Sequence, residues 1–173
     1  MPSYALQFTI LTALRTIEVL RATSEQIDLN KLVWNVPAPQ MKAKKPHQVP
    51  LSHTAAELVE NVMRSHNAAF IFHGRNPGKS LSNMAMLTLI KREMKEFDTT
   101  VHGLRSTFMV WGGEQTSHEL GAMKFALAHQ QDKVTAAYNR TTLLDLRRPL
   151  MQDWADFVTG RPRKTVVAPA MLN

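Results

Sequence analysis

Arg15 closes the apolar run Leu11-Thr12-Ala13-Leu14 and has Glu18 three positions on. Lys42 stands in a Pro- and Lys-rich stretch between Pro37 and Pro46, with Lys44 and Lys45 beside it. His102-Gly103-Leu104-Arg105 sets an imidazole and a guanidinium three apart, a spacing that shares one helical face. His129 follows Ala126-Leu127-Ala128, and Tyr138 comes nine residues later, before Asn139-Arg140. By type, an arginine is a permanently charged fork suited to phosphate or carboxylate. A histidine moves protons near neutral pH, and a phenol is a nucleophile once a base takes its proton.

Each of these residues alone has a plainer reading. An arginine after an apolar helix is commonly a solvated end or a salt-bridge partner, a hairpin lysine is commonly solvated, and a lone helical histidine is commonly structural. What raises them is their number and order. Other segments imitate known motifs and fail. Gly74-Arg75-Asn76-Pro77-Gly78-Lys79-Ser80 has three residues between its glycines where a phosphate-binding P-loop needs four, so a surface turn ending in a helix cap is expected. His118-Glu119 opens like a zinc-protease helix, but Ala122 stands where the second ligand belongs. The methionines between Met84 and Met94 are expected in the core.

The elements that must position these residues are mostly helical. Tyr4 to Leu20 is apolar nearly all round and reads as one buried helix. Ser24 to Asn30 reads as a polar turn, Leu32 to Val36 as a strand and Gln48 to Leu51 as its returning partner, making a hairpin with a basic tip. Thr54-Ala55-Ala56-Glu57 reads as a capping box ahead of Leu58, Val59, Val62 and Met63 at helical spacing. Further helices are expected over Ser82–Glu96, from near His102 with a Thr99-Thr100 cap, over Glu119–Leu127, and over Leu143–Val158. The last has the stripe Leu143, Leu146, Leu150, Trp154, Phe157. The fold class is therefore mainly α with one small antiparallel sheet (α+β). The tail after Gly160 has no amphipathic period and is expected to be mobile.

The chain of 173 residues is long enough for one ordinary core. Apolar residues make up 44% and charged residues 20%, as in a soluble globular domain. No apolar run is long enough for a bilayer, and no secretory signal layout opens the chain, so a cytoplasmic location without membrane contact is expected. With no cysteine, disulfide and thiolate chemistry are excluded. A net charge of +7, from 21 Lys and Arg against 14 Asp and Glu, favours an acidic partner, nucleic acid first.

The motifs LTALRTIE (11–18), QMKAKKPHQVPLS (40–52), VHGLRSTF (101–108), ALAHQ (126–130) and AAYNR (136–140) together resemble the tyrosine recombinase family of phage-integrase type, in particular integrases carried by prophages and genomic islands. The closing LLDLRRPLMQDWADF (143–157) resembles the helix after the nucleophile in that group. The resemblance runs from about Ala5 to Phe157 and implies the catalytic-core fold of DNA breaking-rejoining enzymes over residues 1–160. It makes Arg15 and Arg105 the paired catalytic arginines, Lys42 the hairpin lysine, His102 and His129 the two histidines, and Tyr138 the nucleophile.

The implied reaction is transesterification at a phosphodiester of double-stranded DNA at attachment sites, through a 3′-phosphotyrosyl intermediate and with no cofactor or metal. His102 would be the base, His129 a donor to a phosphate oxygen and Lys42 the acid for the leaving 5′-oxygen. The family implies a monomer in free solution and a tetramer on paired sites, and arm-binding and core-binding domains that have no counterpart in this sequence. Four positions depart from its pattern. Ala13 and Ala128 stand where glycine is usual, and Thr16-Ile17 replaces Arg-Gly or a similar pair. None removes a reacting side chain, but Ala13 and Thr16 bear on the support of Arg15. The competing readings are a decayed or truncated integrase that only binds DNA, and a nucleotide switch resting on the Gly74 loop.

Overall fold

The computed structural model describes residues 1–76, 78–129 and 143–161. Helix α1 (Pro2–Thr12) is buried on most sides, and its two inward polar residues return their hydroxyls to the helix itself. Thr9 Oγ1 donates to Ala5 O at 2.7 Å and Thr12 Oγ1 to Phe8 O at 2.7 Å, so neither is an unpaired buried group. The expected single helix over 4–20 is in fact two. Ala13 adopts φ 53°, the left-handed region, and ends α1; the chain restarts as α2 (Thr16–Leu20). Arg15 lies in extended backbone at that break.

The segment 24–30, expected as a plain turn, holds a 3₁₀ turn (Ser24–Gln26) and strand β1 (Ile27–Asp28). With β2 (Val33–Val36) and β3 (His47–Pro50) it makes a three-stranded antiparallel sheet in the order β1-β2-β3. The register pairs Val33 with Pro50 and Val36 with His47, which leaves residues 37–46 as the basic tip. Helix α3 (His53–Ser65) is capped two residues earlier than the sequence suggests. Ser52 Oγ accepts from Ala55 N at 3.2 Å, whereas Thr54 Oγ1 is buried with no partner among the described residues. Val59 and Val62 face the core as expected.

The Gly74 loop folds back on itself, with Gly74 N donating to Lys79 O at 2.8 Å and His73 bridging Ser80. It does not run into a helix: α4 (Ala85–Thr88) starts later and passes into a π-helical turn, Leu89–Glu93. This replaces the regular helix expected over 82–96. The extra residue per turn swings Met94 outward, and Met84 is exposed too, so only Met86 of these three methionines is core. Helix α5 (Gly103–Gln115) begins as expected, with Thr100 Oγ1 accepting from Gly103 N at 2.9 Å. Helices α6 (Leu120–Ala126) and α7 (Leu144–Thr159) complete the described fold. Leu146 and Phe157, of the expected apolar stripe, are exposed, and Arg147 is fully buried instead.

Two aromatic clusters organise the core. Phe8, Trp34 and Phe72 join α1, the sheet and the 71–72 segment, with ring centroids 5.4 and 5.5 Å apart. Phe108, Trp111 and Trp154 join α5 to α7. Helix α1 and the break after it touch both: Ile10 packs against each cluster, Leu14 lies in the first and Ala13 in the second, and Trp154 Nε1 donates to Ile10 O at 2.7 Å. The break after α1 is thus held from two sides.

The position of the α3 cap gives a direct check. Ser52→Ala should lower unfolding stability by about 1 kcal/mol. Thr54→Val, which removes a buried unpaired hydroxyl, should be neutral or stabilising. Urea denaturation of the two variants measures both, and the reverse order would place the cap at Thr54.

Candidate active site

An open cleft of about 230 Å³ is lined by Arg15, Thr16 and Ile17 at the α1–α2 break, Asn83 before α4, and Val101, His102 and Arg105 at the start of α5. Three of the six residues expected to carry chemistry meet there: Arg15, His102 and Arg105. His102 stands at the N-cap of α5 and is exposed, while Arg105, one turn in, is only 4% exposed.

Arg105 is fixed by two helix ends. Its Nη1 donates to Ala13 O at 2.6 Å and its Nη2 to Leu127 O at 2.7 Å. Ala13 caps the C-terminus of α1 and Leu127 that of α6, so the guanidinium sits where unpaired carbonyls and negative dipole ends converge. Two residues beyond each carbonyl come Arg15 and His129 respectively. Both turns need left-handed backbone, at Ala13 with φ 53° and at Ala128 with φ 49°. Glycine would enter that region without steric cost, which explains its usual place at these two positions in the resembling family. Alanine holds the same turns here.

Two guanidiniums close together repel. Burial, first, and the charge of Arg15, second, hold Arg105 down to about 10, still protonated at neutral pH. Glu18 opposes that shift. Its side chain is fully buried and accepts twice from Arg15: Oε2 from the backbone N at 2.9 Å and Oε1 from Nη1 at 3.1 Å. Glu18 therefore closes the first turn of α2 and orients the Arg15 fork.

His129 is exposed, with its backbone N donating to Lys124 O at 3.1 Å. Its pKa is lowered, by partial desolvation first and then by the charges of Arg105 and Arg15, with Lys124 and His102 adding to the effect. The neighbouring positive charges thus favour its neutral form. Lys42 is exposed on the hairpin tip and is not among the residues lining the cleft. Lys44, with φ 54°, turns its Nζ back to Pro39 O at 3.4 Å. Tyr138 lies outside the described residues. Among the described residues no group of three or more His, Asp or Glu is placed to hold a metal ion.

An arrangement of two arginines, two histidines and an open cationic cleft accommodates an anionic oxygen cluster such as a phosphodiester. The sequence profile of the phage integrase family matches residues 3–143. This chain belongs to that family. It is 38% identical over 155 residues to the prophage integrase IntZ of Escherichia coli K12, which covers 89% of this chain and 39% of that protein. It is 34% identical over 161 residues to the prophage integrase IntA of the same strain, covering 91% of this chain and 39% of that protein. To the integrase of Shigella phage Sf6 it is 33% identical over 158 residues, covering 88% and 40% respectively. The chain thus spans about two fifths of the length of these curated relatives.

Two solved structures share the fold of this integrase-family chain. The integrase from mycobacterium phage Brujita matches with a TM-score of 0.68 at 18% identity, over 95% of this chain and 54% of that one. The Tn1549 transposon integrase, in complex with circular intermediate DNA, matches with a TM-score of 0.59 at 18% identity, over 86% and 56%. The mainly α architecture with a small antiparallel sheet is therefore that of known integrases.

A buried histidine escaped the sequence reading. His47, at the end of β3 nearest the basic tip, is 7% exposed, and its Nε2 has no partner among the described residues. Burial first, then the charge of Arg147, pushes its pKa down to about 3 from an ordinary 6.5, against the pull of the Ala126 backbone. The folded state thus holds the ring neutral where the unfolded chain protonates it. This contribution to stability is complete above pH 6.5 and is lost as pH falls toward 3, at about 1.4 kcal/mol per unit. Between pH 7 and pH 5, wild type should lose about 2 kcal/mol more stability than His47→Phe. Chemical denaturation of both proteins at the two pH values reads the difference; equal losses would mean that His47 is solvated.

Proposed function

We propose that residues 1–160 form the catalytic domain of a tyrosine recombinase, which cuts and rejoins double-stranded DNA at attachment sites. The observation that carries this reading is the meeting of Arg15, His102 and Arg105 on one open cleft, with His129 beside it, in a chain of the integrase family.

The scissile phosphate sits against Arg15 and Arg105, whose forks compensate the charge that develops on its non-bridging oxygens. Such preorganised donors typically contribute about 2.7–4 kcal/mol each. Tyr138 attacks phosphorus. The P–O5′ bond breaks, a 3′-phosphotyrosyl ester forms and the 5′-oxygen departs. His102 takes the phenolic proton, which the phenol with its pKa near 10 does not give up unaided. Neutral His129 donates through one ring N–H to a phosphate oxygen. Lys42, from the hairpin tip, protonates the departing 5′-oxygen. The ester energy is kept in the covalent bond, so a 5′-hydroxyl can reverse the step and rejoin strands without a nucleotide cofactor. The protein is a monomer in free solution and a tetramer on paired sites.

The experiment is covalent trapping on a pool of nicked duplexes with randomised core sequence. Wild type should yield a protein–DNA adduct stable to denaturation. Tyr138→Phe should yield none while melting and binding DNA as wild type does. Tyr4, the other tyrosine, lies on α1, so an adduct that survives in the Phe variant reassigns the nucleophile. DNA binding without any wild-type adduct would instead identify a non-catalytic DNA-binding domain.

DNA affinity offers a second check. With a net charge of +7, the chain should hold duplex DNA mainly through phosphates. Its association constant should then fall by roughly 0.9 log unit per log unit of salt for each phosphate neutralised. A flat salt titration would contradict the cationic cleft as the binding surface.

A further inference from the structure

Outside the cleft, three side chains from three elements meet at one point. His47 of β3 stacks on Phe125 of α6, with centroids 5.6 Å apart and planes 28° from parallel. The guanidinium carbon of Arg147, on α7, lies 4.7 Å from the centroid of the same ring. Arg147 Nη1 then donates to Gln48 O on β3 at 2.8 Å, which closes the circuit. Both His47 and Arg147 are more than nine-tenths buried.

The three elements adjoin, along the chain, three residues of the proposed chemistry. His47 follows Lys42 by five residues, Phe125 precedes His129 by four, and Arg147 follows Tyr138 by nine. A charged side chain buried between elements of the fold is a poor source of stability, because desolvation offsets most of its attraction. A tolerated cost of this kind suits a role in fixing geometry.

We propose that His47, Phe125 and Arg147 form a junction that sets the root of the basic hairpin, and that His47 is a positioning residue acting through Lys42. The junction holds β3 against α6 and α7, so that the hairpin tip closes over the cleft in one register. This rests on the recombinase reading above and assigns it a residue outside the reacting set.

The test uses the whole chain and a nicked duplex recovered from the adduct pool, in single-turnover cleavage at saturating DNA. Two forms of that duplex are compared, with oxygen or with sulfur as the bridging 5′ atom. A thiolate leaves without a proton, so sulfur removes the need for a general acid. On oxygen DNA, His47→Ala should cleave roughly 10-fold more slowly, a part of the 10²–10⁴-fold that general acid catalysis supplies. On sulfur DNA it should recover to within about 3-fold of wild type, as Lys42→Ala should, because both lack only proton delivery. Arg15→Ala should stay slow on both. The Lys42→Ala/His47→Ala double variant should be no slower than Lys42→Ala alone, since a residue acting through Lys42 adds nothing once Lys42 is gone.

His47→Phe, which keeps the stacked ring, should cleave near the wild-type rate. If His47→Ala does not fold, Arg147→Met takes its place: it removes the ring contact and the Gln48 bond, and should show the same sulfur rescue. Equal slowing on oxygen and sulfur, additive loss in the double variant, or wild-type cleavage by His47→Ala would each overturn the positioning role. Absence of any Tyr138 adduct in wild type would overturn the recombinase reading instead.

Discussion

The geometry of the cleft depends on one side chain, Arg105, bonded to two helix ends at once. Its bonds of 2.6 and 2.7 Å to Ala13 O and Leu127 O tie the C-termini of α1 and α6 to the first turn of α5. Arg15 and His129 each emerge two residues past one of those carbonyls. The backbone turns that lead into both residues thus share a single guanidinium plane, and Glu18 then orients the Arg15 side chain.

That arrangement is costly, and the magnitudes show why it holds. Left-handed backbone at a non-glycine residue costs roughly 1–2 kcal/mol, and both Ala13 and Ala128 adopt it. A hydrogen bond to a charged group contributes roughly 1.5–3 kcal/mol, and Arg105 makes two. The bonds and the strain are of similar size, so the turns persist because the buried guanidinium would otherwise be unpaired. Glu18 supplies the remaining requirement. Fully buried and bonded to both the backbone and side chain of Arg15, it offsets the repulsion between two neighbouring cations.

Periodicity and capping residues made much of the fold legible. The hairpin of β2 and β3, the Thr100 cap of α5 and the inner face of α3 follow from alternation, spacing and side-chain oxygen at the right offset. The errors have physical causes. The sequence 4–20 is apolar throughout, and apolarity cannot announce a break made by the demand of Arg105 on Ala13 O. The α7 stripe misplaced Leu146, Phe157 and Arg147, because ring contact with Phe125 and a carbonyl on β3 drew the arginine inward. A π-helical turn at 89–93 rotated Met94 out of register.

The residue types of Arg15, Lys42, His102, Arg105, His129 and Tyr138, and their order, were determined by the sequence alone, because chemistry resides in side chains and order in the chain. So were the net charge of +7 and the exclusion of thiol chemistry. The family follows from the same information, since a motif set is a property of the sequence. Only the tertiary structure decided which of these residues meet, bringing Arg15 and Arg105 together across 90 positions. It also revealed Glu18 as their counter-ion and His47 as a neutral buried ring. Glu18 was visible as a neighbour of Arg15, but its burial and its nearness to Arg105, like the surroundings of His47, are made by residues distant in sequence, and a buried group takes its charge state from what surrounds it.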